Sequence, residues 1–388
     1  FPGRADVCGD GQSFLSTGGG SSYYGRVTIV NGVASQPCTA GPVRVVVDRA
    51  DGLVTNIETV AGPLHAAEGA TDLGTVTGRD AAEYLMSVAA TSDGRASREA
   101  ILPAAIADGA DVSAQLVGIA RDQNRPLDTR RAALSWIARD DGTESASRVA
   151  QATDVLLRVA QDENETQALR RHALNVLGRV GRGAGVPALL RLANENTTSW
   201  TAEESVRALA QSGDPRARDF LRKAIQRTDL PDAMLVAVAR GLGGSQATGQ
   251  DIESLRNAFT TLPGERSRTA VMESIAQRGT ASDTQWLLGI ARDTKQPIET
   301  RRRALDLSAR GTAGSTQVLG MYDSMDDPAL KEALIRLYAQ NNDRASVDKL
   351  ISIARSDSNY MLRRRAIASL SRTQDPRAKQ VLQEISTR

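Results

Sequence analysis

The chain has 388 residues, a formal net charge of +2 and only 3% aromatic residues, so it has room for two or three domains or for one extended array. That charge balance implies no global pull toward nucleic acid or an anionic membrane, and the aromatics needed to stack bases are scarce. No apolar run reaches the ~18 residues needed to span a bilayer.

The first residues read FPGRADVCGDG. Such a start is expected of a mature protein whose signal peptide has been removed, although a trimmed chain would look the same. Both cysteines, Cys8 and Cys38, fall in the first tenth of the sequence. A disulfide between them is the expectation, and with it an oxidising, extracytoplasmic location, periplasmic or secreted. Two unrelated reduced cysteines are the alternative. A bridge closing a loop of about 30 residues would stabilise this segment by roughly 3–4 kcal/mol in the loop-entropy model.

Residues 1–70 differ in grammar from the rest. STGGGSSYYG is a Gly/Ser-rich loop, and Tyr23–Val30 then has strand composition. Within Val43–Val60 two β-branched runs flank Asp48-Arg49-Ala50-Asp51-Gly52, whose Asp-Gly ending supplies the positive φ of a tight hairpin. The expectation is one small antiparallel sheet of about three strands, clipped by Cys8–Cys38. Too small to be secure alone, it should pack on the first helices that follow, as an N-terminal cap. Asp6, Asp10, Asp48 and Asp51 match no calcium-loop spacing and read as turn chemistry.

From about Thr77 helical spacing takes over. IARDQNRPLDTRRAALSWIAR (119–139) and IARDTKQPIETRRRALDLSAR (290–310) share twelve of twenty-one positions, and cognates recur at 159–179 and 353–372. Aligned on one small residue, the units centre on Ala100, Ala133, Ala173, Ser205, Ala237, Ala270, Ala304, Ala333 and Ala366. Most steps are 32 to 34 residues; the longest, 40, contains the insertion DDGTESASRVAQ. A period near 33 signals stacked helix pairs, none of which buries its apolar face alone. Leu169, Ala173, Val176, Leu177 and Val180 trace one such face. Asp214-Pro215, Asp327-Pro328 and Asp375-Pro376 each place a capping acid before a proline at the first helical position. Nine pairs fit, followed by a last helix, Asp375–Ser386. Its Ala378, Val381, Leu382 and Ile385 lie on one side and charges on the other, as a terminal cap requires.

Ankyrin and tetratricopeptide arrays share this period, but the TPLH turn of the first and the large aromatics of the second are missing. What recurs is a turn Asp, then Arg-Arg, Ala-Leu and a small residue, as in Asp162, Arg170, Arg171, Ala173, Leu174 and Gly178, with the link Gly213-Asp214-Pro215-Arg216-Ala217. This pattern resembles HEAT repeats, specifically the short PBS-lyase HEAT-like form, over residues 77–388. The resemblance implies a mainly α fold, a right-handed α-solenoid, and a protein-binding role without chemistry. It also implies that the paired residues Asp122 and Arg130, Asp162 and Arg170, Asp293 and Arg301, and Asp357 and Arg365 hydrogen-bond within and between repeats. The other reading of these arginines is a ladder that grips an acidic partner. Arg131, Arg171, Arg302, Arg303, Arg363 and Arg364, beyond the pairs, are candidates for a partner-facing stripe or plain solvated surface.

Nothing suggests catalysis. His65 lies in a loop and His172 within a helix, with no clustered acids or thiols around them. No P-loop, GxSxG, HExxH, CxxC or haem-attachment motif occurs. No thiol lies within the repeats, so bilin attachment by analogy with the lyase repeats has no support. Trp136, Trp200 and Trp286 read as core filling or, if exposed, as interaction anchors. The expectation is therefore a non-enzymatic extracytoplasmic scaffold that binds a protein partner and needs no metal or cofactor. The alternatives are a structural subunit of an envelope or extracellular assembly, self-associating or multi-protein, and an accessory subunit of an enzyme.

Overall fold

The computed structural model describes residues 1–4, 7–9, 27–29, 39–63, 69–139, 146–244, 247–310 and 317–386. The expected Cys8–Cys38 bridge, His65, Asp6, Asp10 and the Gly/Ser loop lie outside the described residues, as does the Cys8 side chain. By compactness the chain forms two units: residues 1–196 with 200–214, and residues 197–199 with 215–388.

In the first unit the strands form two sheets, where the sequence suggested one. β1 (Val7–Gly9) lies between β2 (Val27–Ile29) and β3 (Thr39–Ala40), antiparallel to both. β4 (Val43–Ala50) and β5 (Leu53–Ala61) form a separate hairpin. Its turn residues Asp51 and Gly52 have φ of 51° and 79°, the backbone that matches the twist of the flanking strands. The two extra strands, β1 and β3, come from the segments beside Cys8 and Cys38, where so few residues pair that no strand pattern shows in the sequence. Val7, Val43 and Ala61 pack with Leu102 and Ile106 of the following helical region, and the backbone of the first residues extends the junction through Arg4 N–H donating to the Ile106 carbonyl at 2.9 Å. The β region shares one core with the first helices.

Those helices are α1 (Gly78–Thr91), α2 (Gly94–Glu99), α3 (Ile101–Ala105), α4 (Ser113–Arg121), α5 (Leu127–Ile137), α6 (Ala146–Gln161), α7 (Gln167–Leu177), α8 (Val186–Glu195) and α9 (Trp200–Ser212). Thr77 caps α1 by accepting the Asp80 N–H. The second helix of the first pair is split at Ala100 into α2 and α3, near Pro103, which has no N–H to donate. α4 packs on α5, α6 on α7 and α8 on α9, while α3, α5, α7 and α9 stack in series.

The second unit repeats the plan with α10 (Pro215–Ala224), α11 (Asp232–Leu242), α12 (Gly249–Ala258), α13 (Glu265–Ala276), α14 (Ala281–Arg292), α15 (Ile298–Ser308), α16 (Pro328–Asn341), α17 (Arg344–Ser356), α18 (Tyr360–Leu370) and α19 (Pro376–Ser386). α11, α13, α15, α16 and α18 stack in series, and α19 covers α17 and α18. α10, α16 and α19 all begin at the proline the sequence marked. All nine anchor residues, Ala100 through Ala366, are between 0 and 4% exposed. A side chain no larger than Ala or Ser at that point lets successive second helices approach closely.

Candidate functional site

Helix ends leave their last carbonyls without partners and carry a partial negative charge. The recurring arginine answers that need. Arg130 Nε donates to the Ala120 carbonyl, Arg170 Nε to Ala160 and Arg301 Nε to Ala291, each at 3.0 Å. In α5, α7 and α15 one guanidinium near the start of the second helix thus ties down the end of its first helix. Its outer nitrogens then reach the next repeat in the first unit: Arg130 pairs with Glu165, and Arg170 donates to Thr201 Oγ1 at 2.9 Å while lying over the Trp200 ring.

The recurring aspartates act locally. Asp122, Asp162, Asp293 and Asp357 each accept, through Oδ1, the backbone N–H two residues on, at 2.9, 2.9, 3.0 and 2.7 Å, the geometry of an Asx turn. No direct bond joins the members of the four Asp–Arg pairs among the described contacts. In the last unit the turn is two residues shorter, so the helical counterpart of Arg130, Arg170 and Arg301 is Arg363. Its Nη1 donates to the Asp357 carbonyl at 2.6 Å. Arg365 instead pairs with Glu332 on α16.

The arginines outside the pairs mostly have partners on their own surface. Arg131 meets Asp128 at 3.4 Å, Arg171 meets Glu204 at 3.0 Å and Arg302 meets Glu299 at 2.6 Å. Arg303 pairs with Glu273, and Arg363 also lies over the Tyr360 ring. Arg364 is exposed and its side chain has no partner among the described residues. The tryptophans are half-buried beside arginines, with Trp286 also edge-on to Phe259 at 5.3 Å. Asp48 accepts from Asn56 Nδ2 at 3.0 Å across the hairpin.

Two sets of cross-links escaped sequence reading. On the first helices of the second unit, Asp251 and Asp283 occupy the third helical position behind capping residues Thr248 and Thr280. Buried Asp251 receives Arg218 and Arg222 from α10 at 3.0 and 2.7 Å. Asp283 receives Arg256 from α12 at 2.8 Å and Arg278 at 3.2 Å. Burial works against the Asp251 carboxylate, yet bonds from Thr248, Arg222 and Arg218 hold it below its ordinary range. The available signal was Thr-x-x-Asp with arginine one repeat upstream. On the second helices, Glu273–Arg303, Asp306–Arg336 and Glu332–Arg365 join α13 to α15, α15 to α16 and α16 to α18. Their signal is an acid and an arginine about one period apart, lost among the many charges of the surface.

His172 Nε2–H donates to the Arg131 carbonyl at 3.0 Å and lies 2.9 Å from Ser135 Oγ; burial lowers its pKa, aided by the charges of Arg131 and Arg179. Tyr322 donates to Asp357 at 2.7 Å, with Lys331 and Lys349 over its ring; burial and Asp357 raise its pKa. Among the described residues no group of three or more His, Cys, Asp or Glu could hold a metal ion, and no helix is long and apolar enough to cross a membrane. A groove of about 600 Å³ lies along α16 and α18, where Glu332, Arg336 and Gln340 face Arg365, Ser369 and Arg372.

A family model for HEAT repeats matches residues 153–238 and 319–388. No curated protein matches the sequence. Solved structures similar to the chain include human deoxyhypusine hydroxylase, at 15% identity over 67% of this chain and 94% of that one with a TM-score of 0.27. The CpcE–CpcF complex of phycocyanin lyase from Nostoc is 16% identical over 71% and 96%, again with a TM-score of 0.27. A computationally designed self-assembling cyclic homo-oligomer is 15% identical over 80% and 94%, with a TM-score of 0.11.

Proposed function

We propose that this chain, which carries HEAT repeats at 153–238 and 319–388, is a non-enzymatic protein-binding scaffold: a right-handed α-solenoid whose stacked second helices present a polar face to a protein partner. HEAT repeats suggest protein–protein interaction. The observation that carries the reading is the construction of that face in the second unit. Beneath it, Ala270, Ala304, Ala333 and Ala366 are buried and hold the helices close. Upon it lie the exchangeable ion pairs Glu273–Arg303, Asp306–Arg336 and Glu332–Arg365. Exposed pairs of this kind contribute roughly 0–1 kcal/mol each, so a partner can rearrange them cheaply while the backbone below stays fixed. The face combines firm support with adaptable charge.

Affinity capture from the native source tests this. The wild-type chain should retain a stoichiometric protein partner, and Arg303→Glu, with unchanged helical circular dichroism, should lose it. A partner held equally by both proteins would count against the second-helix face, and no partner at all against the scaffold reading.

The reading as a structural subunit of a larger assembly has less support at the C-terminal helix: α19 turns Lys379, Gln380, Gln383 and Glu384 outward, a polar face unsuited to continued stacking. The location we propose, outside the cytoplasm, rests on Cys8 and Cys38 alone. Thiol labelling of native protein before and after reduction checks it; free thiols beforehand would remove the argument.

A further inference from the structure

We propose that the groove between α16 and α18 docks an acidic peptide segment of the partner protein, admitted when a partner carboxylate replaces Glu332 on Arg365. This rests on the scaffold reading and adds the partner's chemistry. Four ionisable side chains line the groove: Glu332 against Arg336, Arg365 and Arg372. Three guanidinium groups facing one carboxylate make it a local excess of positive charge on a nearly neutral chain.

The three arginines differ in availability. Arg336 is tied to Asp306 on α15 at 2.9 Å. Arg365 is held by Glu332, but this pair is open to water, its side chains 58% and 46% exposed. Arg372 is exposed, and its guanidinium has no partner among the described residues. A guanidinium fork accepts a carboxylate through two parallel hydrogen bonds. An incoming acid can therefore settle on Arg372 first and take Arg365 by exchange, since breaking an exposed pair costs little.

The rest of the lining favours a peptide over a small anion. Gln340, Asn342 and Ser369 offer amide and hydroxyl groups that match backbone N–H and C=O groups, while the Thr373 hydroxyl already donates to the Leu370 carbonyl. Ala339 is the only apolar lining side chain among the described residues, so a greasy ligand gains little there. An isolated small anion would meet only solvated arginines, whereas a peptide engages the arginines and the neutral donors together.

The test is fluorescence anisotropy on the full chain with a labelled peptide of alternating glutamate and serine, a glutamine–serine control, and free glutamate as competitor. The acidic peptide should bind at least about tenfold more tightly than the control, and Arg372→Glu should weaken it by about tenfold or more. Glu332→Gln, which frees Arg365, should tighten binding several-fold, a gain that misfolding does not produce. Equal binding of both peptides, an unaffected Arg372→Glu variant, no gain in Glu332→Gln, or competition by free glutamate matched per carboxylate would each overturn the proposal. If the native partner is lost on Arg303→Glu but kept on Arg372→Glu, the scaffold reading stands and the acidic groove falls.

Discussion

The turn aspartate and the helix arginine recur together because each repairs a different defect of the same turn. Asp122, Asp162 and Asp293 satisfy the turn's N–H groups, while Arg130, Arg170 and Arg301 satisfy a helix-end carbonyl. Spacing linked them; only the fold separates their acceptors. Replacing Arg170 by Met should cost about 1.5–3 kcal/mol in urea unfolding, the range for a hydrogen bond from a charged group, whereas Asp162→Ala, at an exposed turn, should cost less. The interior acid Asp251 is a graver case. Removing it takes a buried carboxylate away from both Arg218 and Arg222, and Asp251→Ala should lose about 3 kcal/mol. Because its folded pKa is lowered, its contribution is present above the unfolded value of 3.8 and fades as pH falls through the folded one. His172 titrates nearer neutrality. Its folded pKa is also lowered from 6.5, so above 6.5 both states are neutral and nothing is lost. Below it the unfolded chain takes up a proton that the fold resists, and stability drops. Unfolding midpoints between about pH 7.5 and 5.5 should fall in the wild type and fall less in His172→Gln; parallel curves would refute this.

At the scale of the element, periodicity marked the second helices because their centres tolerate only small side chains. Ala304 is fully buried between neighbours in the α13–α15–α16 series. Ala304→Leu should therefore destabilise by about 1–3 kcal/mol through overpacking, read as a lower urea midpoint with an unchanged slope. Prolines at Pro215, Pro328 and Pro376 announced helix starts correctly, since a missing N–H costs nothing in a first turn. Strands fared less well. The Asp51–Gly52 hairpin was legible from its turn chemistry, but β1 pairs through only three residues with partners 18–22 and 30–32 positions away, and such pairing leaves no local pattern. The shortened turn before α18, which moves the carbonyl-binding role from Arg365 to Arg363, was hidden for a similar reason: alignment by sequence kept the Asp-to-Arg interval, while helix phase did not.

At the scale of the whole molecule, stability in stacked repeats is a sum of units and their nearest-neighbour interfaces. The Arg218/Arg222–Asp251 and Arg256–Asp283 links are such interface contributions. Hydrogen exchange on Asp251→Ala should consequently show lost protection in α10, α12 and α14 with α4 to α7 unaltered; a uniform loss along the chain would mean the units do not respond independently. The charges are many yet nearly balanced, and pairs such as Arg130–Glu165, Arg171–Glu204 and Arg336–Asp306 bridge adjacent repeats, so a near-zero net charge coexists with recurrent arginine cross-links.

The sequence by itself determined that the chain beyond Thr77 is paired helices with small residues at their centres, because those are properties of period and volume repeated in every unit. It also determined where many helices begin, since capping acids and prolines act within one turn. The tertiary structure alone decided which acceptor each arginine finds, which acids are interior, and that Arg372 is left without a described partner beside Glu332 and Arg365. Those depend on where one repeat sets its neighbour's side chains, and a distance across space is not written in the spacing along a chain.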